Sequence, residues 1–293
     1  MAQPRILVIG KNGQVGWELC RTLAPMGEVT AVDFPEIDLS NPDSLRQHVA
    51  NCRPNIIVNS AAYTAVDKSE SESDLAMKVN GVAPGVLAEA AKKSGALLVH
   101  YSTDYVFDGS KNSPYGESDT PNPLGAYGRS KLAGDVAIQQ VGGNHLIFRL
   151  CWVYGARGQN FLLTMMRLAR ERETLRVVKD QVGCPTWSRM IAQATTLALS
   201  KVLASGDLGT LTGLYHLASS GVTSWHGFAE RIVALMPPDG RKCTTVEPIT
   251  SAEYPTPAKR PAYSVMDCGK LEKSFQIRLP AWEHSLRQTL DCK

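Results

Sequence analysis

The 293-residue chain is poor in several features that would have assigned it to a class at once. It has no run near the ~18 uninterrupted apolar residues that a membrane helix needs, so no membrane partner is expected. Its formal net charge is only +3, and no lysine- or arginine-rich run stands out, so no nucleic-acid partner is expected either. Its seven cysteines (Cys20, Cys52, Cys151, Cys184, Cys243, Cys268 and Cys292) are odd in number, scattered, and without a C-x-x-C pair. They read as reduced thiols of a cytoplasmic protein, not as disulfides or zinc ligands. No signal-peptide pattern is seen, because Met1-Ala-Gln-Pro-Arg5 leads straight into a strand-like run. Internal repeats and low-complexity tracts are also lacking. What remains is an ordinary globular composition, 43% hydrophobic and 20% charged, with length for one large domain or two moderate ones.

The first half alternates strand and helix signals. Short apolar runs occur at Arg5–Gly10, Glu28–Asp33, Asn55–Asn59, Ala96–Tyr101 and Leu146–Leu150. Helical patterns lie between them, at Gln14–Ala24, Ala83–Lys93 and Ala126–Gln140. Ser40-Asn-Pro-Asp43 reads as a helix start, with a capping residue followed by proline and an acid in the first turn. Short buried strands alternating with helices predict a parallel sheet covered on both faces, an α/β fold. Beyond about residue 155 the pattern loosens. Asn160–Arg172, Ser188–Ala204 and Trp225–Leu235 read as helices, and Leu214–Leu217 as a strand. Pro237–Tyr263 reads as surface loops with little regular structure.

Gly10-Lys-Asn-Gly13-Gln-Val-Gly16 joins the first strand to the first helix. Glycines there permit a tight turn and let backbone approach a pyrophosphate at a helix N-terminus. The spacing is G-x-x-G-x-x-G, not the commoner G-x-G-x-x-G, and a plain strand-to-helix turn is the alternative; the strand–loop–helix context favours a dinucleotide. Asp33, ending the second strand, suits the hydroxyls of an adenosine ribose and opposes a 2′-phosphate, which favours NADH. Lys11 offsets that repulsion, so NADPH stays open. Asp38-Leu39 frames an adenine or simply leads the next helix.

Tyr127-Gly-Arg-Ser-Lys131 opens the helix after the fourth strand. Residues i and i+4 share one face, so a lysine stands beside a tyrosine. An ammonium and a cationic nicotinamide both favour phenolate over phenol, whose ordinary pKa is about 10. In a reduction such a tyrosine donates a proton to a carbonyl oxygen. Ser102-Thr-Asp-Tyr-Val-Phe-Asp-Gly109 ends the fourth strand in hydroxyl residues, where open α/β sheets place ligands. Thr103 is expected to hold the substrate oxygen beside Tyr127.

Together the glycine loop, the S-T-D-Y-V-F-D-G run and Y-x-x-x-K resemble the extended short-chain dehydrogenase/reductase superfamily. The similarity is strongest to its dTDP-4-dehydrorhamnose reductase family. Asn59-Ser-Ala-Ala-Tyr-Thr-Ala-Val-Asp-Lys68, Arg149-Leu-Cys-Trp-Val-Tyr-Gly155, Asp180-Gln-Val-Gly-Cys-Pro-Thr186 and Tyr254-Pro-Thr-Pro-Ala-Lys-Arg-Pro261 extend it over nearly the whole chain.

The resemblance implies a Rossmann-type doubly wound parallel sheet with a smaller C-terminal α/β substrate domain. Residues 1–155 would bind NAD(P), later segments being free to return to that unit, and residues 156–293 would mainly bind substrate. It implies reduction by NADPH or NADH of the 4-keto group of a nucleotide sugar, dTDP-6-deoxy-L-lyxo-4-hexulose. Thr103, Tyr127 and Lys131 would be catalytic. Gly10, Gly13, Gln14, Val15, Asp33, Asp38, Leu39, Ala61, Ala62, Thr64, Tyr127 and Lys131 would line the cofactor. Thr103, Asp104, Tyr105 and Trp152 would meet the sugar, Trp152 being equally readable as a core aromatic. Lys259-Arg260 would hold the diphosphate or form a solvated basic loop. Some members bind magnesium between subunits through three glutamates. Here Glu18 matches the first, Arg189 replaces the second, and the third falls near Asp291-Cys292, so no metal is expected. A monomer or homodimer follows. Dehydratase relatives carry Asp-Glu after the threonine; Asp104-Tyr105 here favours reduction. The remaining alternatives are a reductase or epimerase of another nucleotide sugar, and a non-catalytic regulatory subunit of the same fold.

Overall fold

The computed structural model describes residues 3–206 and 209–291. Met1, Ala2 and Cys292 lie outside the described residues, as does half of the Asp291-Cys292 position. The first half builds β1 (Arg5–Ile9), α1 (Gln14–Thr22), β2 (Glu28–Val32), α2 (Pro42–Cys52), β3 (Ile56–Asn59), α3 (Ala83–Ser94), β4 (Leu97–Thr103), α4 (Ala126–Val141) and β5 (His145–Leu150). Every residue of β3, β4 and β5 is buried, as expected of parallel strands covered on both faces. The helices start where local chemistry dictates. Asn41 caps α2 by accepting from the Asp43 and Ser44 N–H groups, and Pro42 occupies the first turn.

The sheet is parallel throughout, in the order β2-β1-β3-β4-β5-β6, where β6 is Gly213–His216. Strand order reverses beside β1, which opens a crevice at the C-terminal ends of β1 and β3. The strand period of two sorts the side chains. Ile6 and Val8 face a layer built from α1, α6 (Ser188–Ser205) and α8 (Gly269–Phe275). Leu7 and Ile9 face α2, α3 and Ile138 of α4. Thus β6, α6 and α8, all beyond residue 156, complete the six-stranded sheet and one of its helical layers.

A second core joins α5 (Phe161–Glu171), α7 (Trp225–Leu235) and α9 (Trp282–Asp291) through Leu162, Met165, Phe228, Ile232, Trp282 and Leu286. Here the structure corrects the loop reading of Pro237–Tyr263. Thr245–Ile249 is a strand, paired in parallel with Thr174–Val178. Most of its side chains face solvent, which erases the apolar alternation. Pro248 is tolerated because a two-stranded ribbon leaves one edge unpaired. No described helix is long and apolar enough to cross a membrane.

Candidate active site

The first part of the site is made of backbone. Gly10 has φ +94°, a conformation that favours glycine. A Cβ there would sit 2.6 Å from the Ala61 nitrogen, and one on Gly16 only 1.9 Å from the Gly10 carbonyl oxygen. Strand, loop and helix therefore meet closer than any side chain allows. Gly13 is the N-cap of α1 and offers no capping side chain; the first turn holds no acid. The N–H groups of that turn thus face a ready anion site. Gln14 is tied across to the second lobe, its Oε1 accepting from Asn160 Nδ2 at 2.9 Å. Val15 packs partly into the core below.

Beside the loop lies a cavity of about 320 Å³ lined by Asp33, Asp38, Leu39, Ala61 and Ala62, together with Phe34, Leu75 and Val79. Thr64 is exposed and does not line it. The Asp33 carboxylate accepts from the Asn12 N–H at 2.9 Å and the Phe34 N–H at 2.8 Å, so it also braces the glycine loop. Asp38 accepts from the backbone and hydroxyl of Ser40. Lys11, the residue expected to offset a 2′-phosphate, is paired with Glu36 at 2.6 Å. Phe34, 72% exposed at the rim, is a cavity residue that no sequence motif marked.

The second part is made of side chains. β4 runs two residues beyond its expected end, making Thr103 its last residue. α4 is pressed onto the turn that follows β4: a Cβ on Gly128 would lie 2.2 Å from the Tyr105 carbonyl oxygen. Its N-terminus is capped from a distance, Glu70 Oε1 accepting from the Ala126 N–H at 2.8 Å. This docking sets half-buried Tyr127 beside Thr103, its hydrogen-bond partner, with the Tyr105 ring edge-on at 5.5 Å.

Lys131 is 2% exposed. Its Nζ donates to the Tyr101 carbonyl at 2.6 Å and faces His100 Nε2 at 3.2 Å. Burial pushes its ammonium down to about 8, opposed by the charge of Asp135 one turn along α4. Burial also pushes the Tyr127 phenol up to about 12, and Asp104 and Asp135 add to the rise. Lys131 is not among the charges that move the phenol. Lys131 is drawn toward β4, and burial dominates Tyr127.

Asp104 departs from the expectation of sugar contact. It is 2% exposed and faces inward, accepting from Thr103 Oγ1 at 3.0 Å and from Cys151 Sγ at 3.3 Å. Burial pushes its carboxyl up to about 6. Tyr105 donates its N–H to Thr103 Oγ1 at 3.2 Å. Trp152, with φ +43°, stacks on Trp225 at 3.6 Å and packs against Gly183, leaving 9% exposed. Arg260 is half-buried and held by Asp67 at 2.9 Å, by the Thr256 hydroxyl and by the Ala258 carbonyl. Glu18 is buried and ion-paired with Arg189 at 3.3 Å.

Sequence reasoning passed over Asn59 and His100, buried register partners on β3 and β4. The available signal was a polar residue closing one apolar run and another set within the next.

A family model described as the RmlD substrate binding domain matches residues 4–293. The dTDP-4-dehydrorhamnose reductase of Burkholderia thailandensis is 50% identical over 287 residues, covering 96% of each chain. The enzyme of that name from Salmonella typhimurium is 44% identical over 295 residues, covering 97% of this chain and 96% of its own. Among solved structures, dTDP-4-dehydrorhamnose reductase from Bacillus anthracis in complex with NADP is similar with a TM-score of 0.90 at 34% identity, covering all of both chains. Thermus thermophilus UDP-glucose 4-epimerase, complexed with NAD, shares the fold at 21% identity and a TM-score of 0.79.

Proposed function

The chain belongs to the RmlD family of dTDP-4-dehydrorhamnose reductases, and from that premise we propose that it reduces the 4-keto group of dTDP-6-deoxy-L-lyxo-4-hexulose to give dTDP-L-rhamnose. The observation that carries this reading is Tyr127 set beside Thr103 at the end of β4, with Lys131 buried one turn along the same helix, two strands from a glycine cradle that a single Cβ would fill. The cradle and the uncapped α1 terminus fit a dinucleotide pyrophosphate, and the Asp33–Leu39 cavity fits its adenosine. NADPH or NADH, when bound, supplies the hydride.

The protein's own groups handle the proton. Tyr127, protonated at neutral pH, donates it to the substrate oxygen. A phenol held near 12 stays an acid until negative charge develops on that oxygen, which is the direction a reduction requires. Asp104 works through Thr103, fixing its hydroxyl beside Tyr127. Lys131 keeps a positive charge buried beneath the site, held by the Tyr101 carbonyl. Tyr105 and Trp152 border the sugar, and Arg260, preset by Asp67, faces the diphosphate. The six described cysteines are free thiols, which supports a reducing, cytoplasmic setting.

The test is to mix protein, the dTDP-4-keto-6-deoxy-L-sugar and NADH or NADPH, with EDTA, and follow absorbance of the reduced nicotinamide. Oxidation by wild type, with Tyr127→Phe silent, is the expected outcome. Wild type that stays silent, with or without magnesium, would refute the assignment.

A further inference from the structure

Lys131 is a fully enclosed cation whose acceptors are few. The Tyr101 carbonyl takes one N–H at 2.6 Å, and the other close group is His100 Nε2 at 3.2 Å. The charged and titratable groups that interact with the ammonium are Asp135 from α4 and His100 itself, with Arg149 from β5 reaching it through Asp135. Arg149 is engaged by Asp135, with Nε to Oδ2 at 3.1 Å. An imidazole 1% exposed and beside an ammonium stays neutral. It therefore carries one proton, on Nδ1 or on Nε2.

A proton on Nε2 would point an N–H at an ammonium. A proton on Nδ1 leaves Nε2 free to accept. That proton then needs an acceptor, and among the described residues the only side chain bonded to Nδ1 is Asn59, whose Nδ2 lies at 3.2 Å while its Oδ1 has no partner. The two carboxamide orientations fill the same space, and hydrogen counting selects the one with Oδ1 against Nδ1. A single half-turn gives the His100 Nδ1–H an acceptor and leaves Nε2 free to accept from Lys131.

We propose that Asn59 and His100 form a tautomer lock that keeps His100 Nε2 an acceptor and so aims the Lys131 ammonium at the site. Both are positioning residues. The inference rests on the reductase reading for its kinetic consequences, but the tautomer itself does not.

The test therefore has two arms. Holoenzyme labelled with 15N-histidine, with the His100 signals assigned by their loss in His100→Gln, should show Nδ1 protonated and Nε2 bare at about pH 6 to 7, where Lys131 is charged. In the assay, His100→Leu removes an acceptor from the charged lysine. It should lower kcat about tenfold, leave the sugar KM and the cofactor Kd within about twofold, and move the alkaline limb of kcat about one unit toward lower pH. His100→Gln, which retains an acceptor, should recover to within about threefold of wild type. Should His100→Leu fail to fold, Asn59→Leu keeps the ring and should yield a mixture of tautomers. A proton on Nε2 in wild type, a wild-type pH profile in folded His100→Leu, or an unmixed Nδ1–H signal in Asn59→Leu would each overturn the lock. Inactive wild type with Nε2 bare would remove the reductase reading and leave the lock standing.

Discussion

At the end of β1 the protein presents almost no side chains; at the end of β4 it presents little else. The first site is a set of distances that only hydrogen can fill: Gly16 against the Gly10 carbonyl, Gly10 against Ala61, an α1 terminus without a cap. The second is a stack of buried polar groups, from Asn59 through His100, Lys131 and Tyr127 to Thr103 and Asp104. The difference follows from what each must do. Holding a phosphate requires N–H groups and close approach, which every residue's backbone supplies once side chains are removed. Moving a proton requires groups whose pKa values are set by burial, and those must be particular residues. Errors at β1 should therefore appear as lost affinity, and errors at β4 as lost turnover.

Tyr127→Phe tests that division most severely. Turnover should fall by about 10²–10⁴, while cofactor Kd from fluorescence titration stays within about twofold. A comparable loss of affinity would dissolve the distinction. Gly16→Ala is the converse, because its methyl meets rigid backbone. Cofactor Kd should weaken by about tenfold or more, with the deficit in rate largely recovered at saturating cofactor. Gly128→Ala sharpens the picture at the β4 end. It pushes α4 from the Tyr105 carbonyl, displacing Tyr127, and should lower kcat by about tenfold with cofactor Kd little changed.

Asp104 gives a smaller effect, read in stability against pH. Its folded carboxyl is raised to about 6, above the ordinary value for an aspartate. The protonated form thus favours the folded state, and that contribution is full below about pH 4 and lost as pH rises through about 6. Wild type should lose melting temperature over that interval relative to Asp104→Asn, which stays neutral; parallel curves would argue against the assignment. The smallest effect is expected from Glu36→Gln. It releases Lys11 toward a 2′-phosphate, and because the pair is exposed the gain in NADPH affinity should not exceed about fivefold.

The β1 end was legible in the sequence because its signals are local. An apolar run, three glycines and a helix pattern lie within the twenty residues from Arg5 to Ala24, and the structure uses them in that order. Tyr127 and Lys131 were legible for the same reason, being one helical turn apart. What sequence could not convey is where buried polar groups point. Asp104 stands between two expected ligand residues yet turns inward to Thr103 and Cys151, because the strand ends just before it. Asn59 and His100 are 41 positions apart, and only strand register brings them together. The strand at Thr245–Ile249 was hidden by its own exposure, which leaves no apolar alternation to read.

The return of β6 has a consequence for synthesis. A nascent chain that has emerged through β5 already contains the glycine loop, Thr103, Tyr127 and Lys131, yet β5 still lacks its outer neighbour and one face of the sheet lacks α6 and α8. Until about residue 279 leaves the ribosome, that face keeps Ile6, Val8, Leu146 and Phe148 short of their final cover, and the open edge of β5 is free to pair with another chain. A fragment ending at residue 155 would keep the glycine loop, Thr103, Tyr127 and Lys131 but leave that edge and face open, and is expected to aggregate.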